Sequence, residues 1–234
     1  MKPFRFQKFD IQQNADVFRV GTDAVLLGAL ADVSEAKKML EVGTGTGIIS
    51  LMLAQRNPEV QILAIDINPE AITISQTNFS HSPFADRMKS QFQDLKSFET
   101  EEKFDLIISN PPYFEINNSD KDIIARQKLE LDFSDLIRKS RELLSENGLF
   151  IVIIPIDSEK EFGEICSENQ FFLQRKVIIQ GIKTAQPKRL VLEYSFTESE
   201  TKVENFIIEK SPRVYSDDYL ELTKDFHLFN KKPL

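Results

Sequence analysis

The run Phe150-Ile151-Val152-Ile153-Ile154 does most to limit what this chain can fold into. Five consecutive apolar residues give a strand no polar side to turn toward water, so both of its faces must be covered. Leu106-Ile107-Ile108 repeats the pattern. Strands of this kind sit in parallel sheets sandwiched between helices, and the chain supplies the helices in alternation. Strand-like runs at Lys38 to Val42, Val60 to Asp66, Met88 to Phe92, Phe104 to Ser109 and Leu149 to Ile154 are interleaved with helical patterns at Gly47 to Arg56, Pro69 to Phe79 and Phe133 to Leu144. The alternation predicts βαβ units and an α/β fold, a mostly parallel sheet with helices on both faces.

Two flanks adjoin this middle. Residues 1–20 set Phe4, Phe6, Phe9 and Ile11 among polar residues, which predicts a short hairpin. Thr22 or Asp23 then caps a helix bearing Val25, Leu26, Leu27 and Leu30. The expected layout is an N-terminal extension over residues 1–32 packed on a core domain over 33–234. After Cys166 come Val177-Ile178-Ile179, Leu190-Val191-Leu192 and Phe206-Ile207-Ile208. The connections between them are short, which predicts antiparallel pairing at the sheet edge.

Composition narrows the function classes. With 234 residues and 41% hydrophobic content the chain affords a sizeable core. One cysteine and two histidines leave no internal disulfide framework and no Cys/His-rich metal centre, so no metal is expected. No run approaches the roughly 18 apolar residues of a membrane span, and Met1-Lys2-Pro3-Phe4-Arg5 lacks a secretion signal's apolar stretch. The expectation is a soluble, cytoplasmic monomer. The 29 basic residues against 37 acidic ones give a net charge of −8, which weighs against a nucleic-acid partner unless cations gather locally.

Glu41-Val42-Gly43-Thr44-Gly45-Thr46-Gly47 lies between a predicted strand and a predicted helix. Glycines there permit a tight turn and a ligand's close approach, and the helix start adds partial positive charge. The dinucleotide fingerprint G-x-G-x-x-G would need glycine where Ile48 stands, and the Gly-Lys-Ser/Thr ending of a P-loop is missing. Asp66 ends the next strand, about 20 residues beyond such a loop, where a carboxylate accepts both ribose hydroxyls. Asp94 is placed to accept from an adenine amino group or to serve as a turn aspartate.

These pieces resemble the class I S-adenosylmethionine-dependent methyltransferases. The resemblance implies a Rossmann-like, seven-stranded sheet. It implies that Gly43, Gly45 and Gly47 wrap the methionine part of S-adenosyl-L-methionine, with S-adenosyl-L-homocysteine as the product. Asp66 would hold the ribose, Asp94 the adenine end, and Glu41 the loop or the cofactor's amino group. Thr22, Asp23, Thr44 and Ile67 complete the expected cofactor set.

Asn110-Pro111-Pro112-Tyr113 follows the strand ending at Ser109. Two prolines freeze a loop at the carboxyl edge of the sheet, where α/β folds bind ligands. An exocyclic amino group is a poor nucleophile because its lone pair drains into a π system. The Asn110 side-chain carbonyl and the Pro111 backbone carbonyl can accept both of its N–H groups and free that lone pair, while Tyr113 stacks on the planar group. Catalysis would then be positioning plus electrostatics. By resemblance the motif marks methyltransferases of amino groups on adenine, cytosine or glutamine.

Three longer stretches sharpen the resemblance: Phe4-Arg5-Phe6 through Val20-Gly21-Thr22-Asp23-Ala24-Val25-Leu26-Leu27-Gly28; Asn110-Pro111-Pro112-Tyr113-Phe114 with Ala125-Arg126 and Leu131; and Tyr219-Leu220-Glu221-Leu222-Thr223-Lys224-Asp225-Phe226. Together they are similar to the bacterial family that methylates adenine 37 in the anticodon loop of a valine tRNA. The rivals are the release-factor glutamine methyltransferases, which carry a separate N-terminal domain, and the guanine-amino methyltransferases of ribosomal RNA, which typically show Phe in place of Tyr113. An inactive nucleotide-binding scaffold of the same fold is the non-enzyme reading; a dehydrogenase is disfavoured by Ile48. Basic sets that could track phosphates are Lys2, Arg5, Lys8 and Arg19; Lys183, Lys188 and Arg189; and Lys231 with Lys232. Phe114, Arg126, Lys188 and Arg189 are the expected substrate contacts.

Overall fold

A computed structural model describes residues 2–14, 17, 20–111 and 132–228. The expected Pro112, Tyr113, Phe114 and Arg126, as well as Arg19, Leu131, Lys231 and Lys232, lie outside them.

The chain opens with a small antiparallel pair, β1 (Phe4–Arg5) and β2 (Asp10–Ile11), the hairpin expected from its aromatic spacing. Helix α1 (Thr22–Leu30) follows, then β3 (Lys38–Val42), α2 (Ile48–Arg56), β4 (Gln61–Asp66), α3 (Pro69–Ser80), β5 (Met88–Phe92) and β6 (Phe104–Ser109). Beyond residue 131 come α4 (Phe133–Leu143), β7 (Leu144–Pro155), α5 (Glu159–Glu168), β8 (Phe172–Ile182), β9 (Arg189–Ser195), β10 (Lys202–Ser211), β11 (Val214–Tyr215) and α6 (Asp217–Thr223).

The main sheet runs β11-β10-β8-β9-β7-β6-β3-β4-β5. Seven of these strands point one way; β9 and β11 run against them. Strands β3 to β9 supply the seven expected strands, and β10 and β11 extend the sheet to nine.

One pairing departs from expectation. The β9 strand inserts between β7 and β8, antiparallel to both, so it has no free edge left for β10. Residues 196–201 cross the start of β8, held there by Thr201 Oγ1 donating to the Leu173 carbonyl at 2.8 Å. The β10 strand therefore starts at the same end as β8 and pairs with it in parallel. Short connections predict antiparallel pairing, which holds for β8 with β9; the occupied edge of β9 rules it out for β10 with β9.

Alternation along the strands builds two cores. Met39, Ile62, Leu106, Ile151 and Ile153 face α1, α2 and Phe79 of α3, together with Phe6 and Phe9 of the hairpin and Tyr219 of α6. Leu40, Ile65, Ile107, Phe150, Val152 and Ile154 face Leu136 and Ile137 of α4 and Phe162 and Cys166 of α5. Burial pushes the Cys166 thiol well above its ordinary range, so it stays an uncharged core residue.

Residues 1–32 are expected to form an extension packed on the core; Ala24 to Leu27 and Ala29 to Ala31 sit in the same apolar cluster as the sheet. The N-cap of α1 is Gly21, without a side-chain cap, rather than Thr22 or Asp23, because Thr22 already opens the helix. Near residue 7 the hairpin is clasped to the segment after α6: Gln7 N–H donates to the Phe226 carbonyl at 2.9 Å and Gln7 Nε2 to the His227 carbonyl at 2.8 Å. The Phe6 and His227 rings stack with centroids 5.6 Å apart. No helix among the described residues is long and apolar enough to cross a membrane.

Candidate active site

Four neighbouring strands deliver the site. Val42 of β3 is registered against Ser109 of β6 on one side and Ile65 of β4 on the other, and Asp66 of β4 against Phe92 of β5. Asn110, Gly43, Asp66 and Asp94 therefore emerge along a single carboxyl edge, where open α/β sheets take ligands.

The glycine loop folds back on β4. Gly43 and Thr44 N–H both donate to the Ile65 carbonyl, at 2.9 and 3.1 Å, and Gly47 N–H to the Thr44 carbonyl at 2.8 Å. Two of the glycines have distinct reasons to be there. Gly43 holds φ of +76°, and a Cβ built on it would meet nothing within 4 Å among the described residues, so on their side the backbone faces open space that a ligand can fill. Gly47 holds φ of +79°, and its Cβ would lie 2.4 Å from Phe79 Cε1, so only glycine lets α3 close against the start of α2.

Asp66 is fixed by two backbone donors. Its Oδ2 accepts from Gly45 N–H and its Oδ1 from Asn68 N–H, both at 2.9 Å. Each oxygen keeps a second lone pair for a ligand hydroxyl. Ile67 follows immediately, its apolar side chain 45% exposed at the same edge. Asp94 caps a short 3₁₀ turn, Leu95–Ser97, with Oδ1 accepting from Lys96 N–H at 2.9 Å. That is the turn role weighed for it, and it uses one of the two carboxylate oxygens.

Glu41 sits fully buried beneath the loop. Its Oε2 accepts the hydroxyls of Thr44, at 2.8 Å, and of Ser50. Among the described residues its Oε1 has no partner. Burial pushes its pKa up to about 7, against the opposing pull of the two hydroxyls and with a small push from Asp66. The Thr44 hydroxyl is thus spent on Glu41, and Thr44 serves the site by bracing the loop.

At the expected catalytic segment, Ser109 is buried and its Oγ donates to the Val42 carbonyl at 2.9 Å, tying the end of β6 to the start of the glycine loop. Asn110, half-buried, and Pro111, buried, follow directly. On α1, Thr22 is exposed, while Asp23 Oδ2 accepts from Arg189 Nε at 2.8 Å. The structure thereby joins an expected cofactor residue to an expected substrate residue 166 positions away. Lys188 is exposed beside them, at the start of β9.

Three polar residues were not singled out from sequence: Ser50, Ser109 and Asn78. The Asn78 amide donates to the carbonyls of Gln12 and Thr46, at 3.1 and 2.9 Å, and accepts from Gln12 N–H at 2.8 Å. It fastens the segment after the hairpin onto the glycine loop. The available signal was a lone polar residue inside an apolar stretch, as in Ile48-Ile49-Ser50-Leu51 and Leu106-Ile107-Ile108-Ser109.

A family model described as "Methyltransferase small domain" matches residues 13–168. The chain belongs to this family. As a methyltransferase of the small-domain family it has curated relatives that match it end to end. A protein of Flavobacteriaceae bacterium (strain 3519-10), named tRNA1(Val) (adenine(37)-N6)-methyltransferase, is 55% identical over 98% of this chain and 100% of its own length. A protein of Phocaeicola vulgatus with the same name is 39% identical over 96% of this chain and 97% of its own. Among solved structures, one described as a predicted O-methyltransferase from Agrobacterium tumefaciens superposes with a TM-score of 0.68 at 17% identity, covering 87% of this chain and 96% of that one. The ribosomal protein L11 methylase from Lactobacillus delbrueckii subsp. bulgaricus gives 0.55 at 22% identity, covering 76% and 80%. At these identities the likeness speaks for the fold, that of the class I methyltransferases.

Proposed function

We propose that this methyltransferase transfers a methyl group from S-adenosyl-L-methionine to the exocyclic N6 of adenine 37 in the anticodon loop of tRNA1(Val). The observation that carries the reading is the 55% identity over 98% of the chain to a relative bearing that activity's name.

The residues present fit the cofactor. The open space before Gly43 is a cradle that a side chain would fill, and Asp66 presents lone pairs from a carboxylate anchored by Gly45 and Asn68. Ile67 offers an apolar surface to the adenine ring, with Asp94 at its polar end. Glu41, braced by Thr44 and Ser50, lies under the loop with one oxygen uncommitted, and Thr22 and Asp23 stand at the mouth. S-adenosyl-L-methionine, when bound, supplies an electrophilic methyl group.

The protein's part in the transfer is orientation. The Asn110 amide oxygen and the Pro111 carbonyl accept the two N–H groups of the adenine amine, which favours a pyramidal nitrogen with its lone pair free. Ser109 fixes the point from which both project. In this reading Pro112 and Tyr113 complete the catalytic set, Tyr113 as the ring to stack on the base, and Phe114 is a substrate contact. An unpaired loop base costs less to extract than one inside a helix. Arg126, Lys188 and Arg189 contact the substrate.

The test is methyl transfer from labelled S-adenosyl-L-methionine to total tRNA from a strain lacking the gene, with a purified release factor as the second acceptor. Label recovered as N6-methyladenosine at position 37 of the valine tRNA is the expected result. Label on the release factor instead would overturn the reading in favour of glutamine methylation.

A further inference from the structure

The family match ends at residue 168, and the strands that carry the sheet beyond seven, β10 and β11, lie outside it. Their position is specific. Strands β8 and β10 run parallel to β6, so the turns that follow them, residues 183–188 and 212–213, leave the sheet on the edge that carries Asn110 and Gly43. Glu209 is registered against Ile182, which sets those two turns side by side, and Arg189 against Pro155, which sets the β8–β9 turn at the end of β7, the strand beside β6.

These turns present Lys183, Lys188 and Arg213, all exposed. Among the described residues none of the three has an ion pair, whereas nearby Arg189 is paired with Asp23, and Lys210 with Asp217 at 3.3 Å. The Glu209 carboxylate accepts the Arg213 backbone N–H at 3.0 Å and so caps the turn.

Arg213 carries a second signal. It follows Pro212 in a two-residue hairpin turn and holds φ of +67°, a position that favours glycine. A bulky cation kept in a conformation that glycine adopts without steric cost points to a use for the cation.

Resting on the function proposed above, we infer that the β8–β9 and β10–β11 turns form an arm that grips the phosphodiester backbone of the RNA beside the reacting base, with Lys183, Lys188 and Arg213 as its cations. The arm puts positive charge on one edge of a chain whose net charge is −8.

The test compares wild type with Arg213→Gly, Arg213→Lys and Lys183→Gln on in vitro transcribed valine tRNA. Each neutral variant should bind tRNA roughly fivefold to tenfold more weakly at 0.1 M salt and lower the slope of log Kd against log salt by about 0.7–0.9. Arg213→Lys should keep the slope. Cofactor affinity by calorimetry should stay unchanged, and Arg213→Gly should melt no earlier than wild type, because glycine relieves the turn. Unchanged tRNA affinity and slope in both neutral variants, with wild type still methylating tRNA, would overturn the arm alone. A wild type that methylates no tRNA would overturn the parent reading, and the arm with it.

Discussion

Replacing Glu41 by Gln tests the energetics of the glycine loop directly. The Glu41 carboxyl has its pKa moved by burial from 4.5 to about 7. In the fold it holds its proton to near neutrality; in the unfolded chain it releases it near 4.5. Between those values the unfolded state binds fewer protons, so stability falls as pH rises and is lost as pH passes the folded value. At about 1.4 kcal/mol per pH unit the total is about 3 kcal/mol, most of it between about pH 5 and pH 8. Gln fits the same volume, accepts from Thr44 and Ser50 through its carbonyl, and does not titrate. Urea unfolding without ligand, repeated across that range, should show the wild type losing about 2–3 kcal/mol relative to Glu41→Gln. Parallel curves for the two proteins would refute the reasoning.

Three further outcomes are expected. Asn110→Ala should leave cofactor affinity intact by calorimetry and lower kcat by roughly a hundredfold to a thousandfold, as loss of one transition-state hydrogen-bond partner does. Asp66→Ala should weaken cofactor binding by roughly a hundredfold, since it removes the proposed ribose acceptor and frees the Gly45 N–H it anchors; unchanged binding would sink the ribose assignment. Gly47→Ala should cost about 3 kcal/mol in a denaturant melt, combining a left-handed backbone with a Cβ forced on Phe79, and Phe79→Leu on top should recover part of it.

What the sequence disclosed depended on how local each signal was. The β6 strand was legible to the residue because Leu106-Ile107-Ile108 tolerates no other covering, and the placing of Asp66 at the glycine loop's edge because the two stand at the strand ends of one βαβ unit. The pairing of β10 was not legible, since it turns on which edge of β9 is already occupied. Ser109, Ser50 and Asn78 were missed for the same reason. A single hydroxyl or amide acquires meaning only from the carbonyl or carboxylate that the topology brings to it, as Val42 is brought to Ser109. Asp23 and Arg189 were each picked out for a separate ligand, and their mutual ion pair shows only once α1 and β9 are placed together.

The clasp at Gln7 bears on how the protein is made. Phe6 and Phe9 emerge from the ribosome early, but the carbonyls of Phe226 and His227 that receive Gln7 emerge more than two hundred residues later. At roughly 5–20 residues per second that interval is on the order of tens of seconds. Throughout it the hairpin's aromatic rings lack their closing partner, even as α1 and the strands they pack on are added. A nascent chain stalled before α6 therefore carries an uncovered aromatic patch, the kind of surface that chaperones hold, until the segment after α6 reaches Gln7.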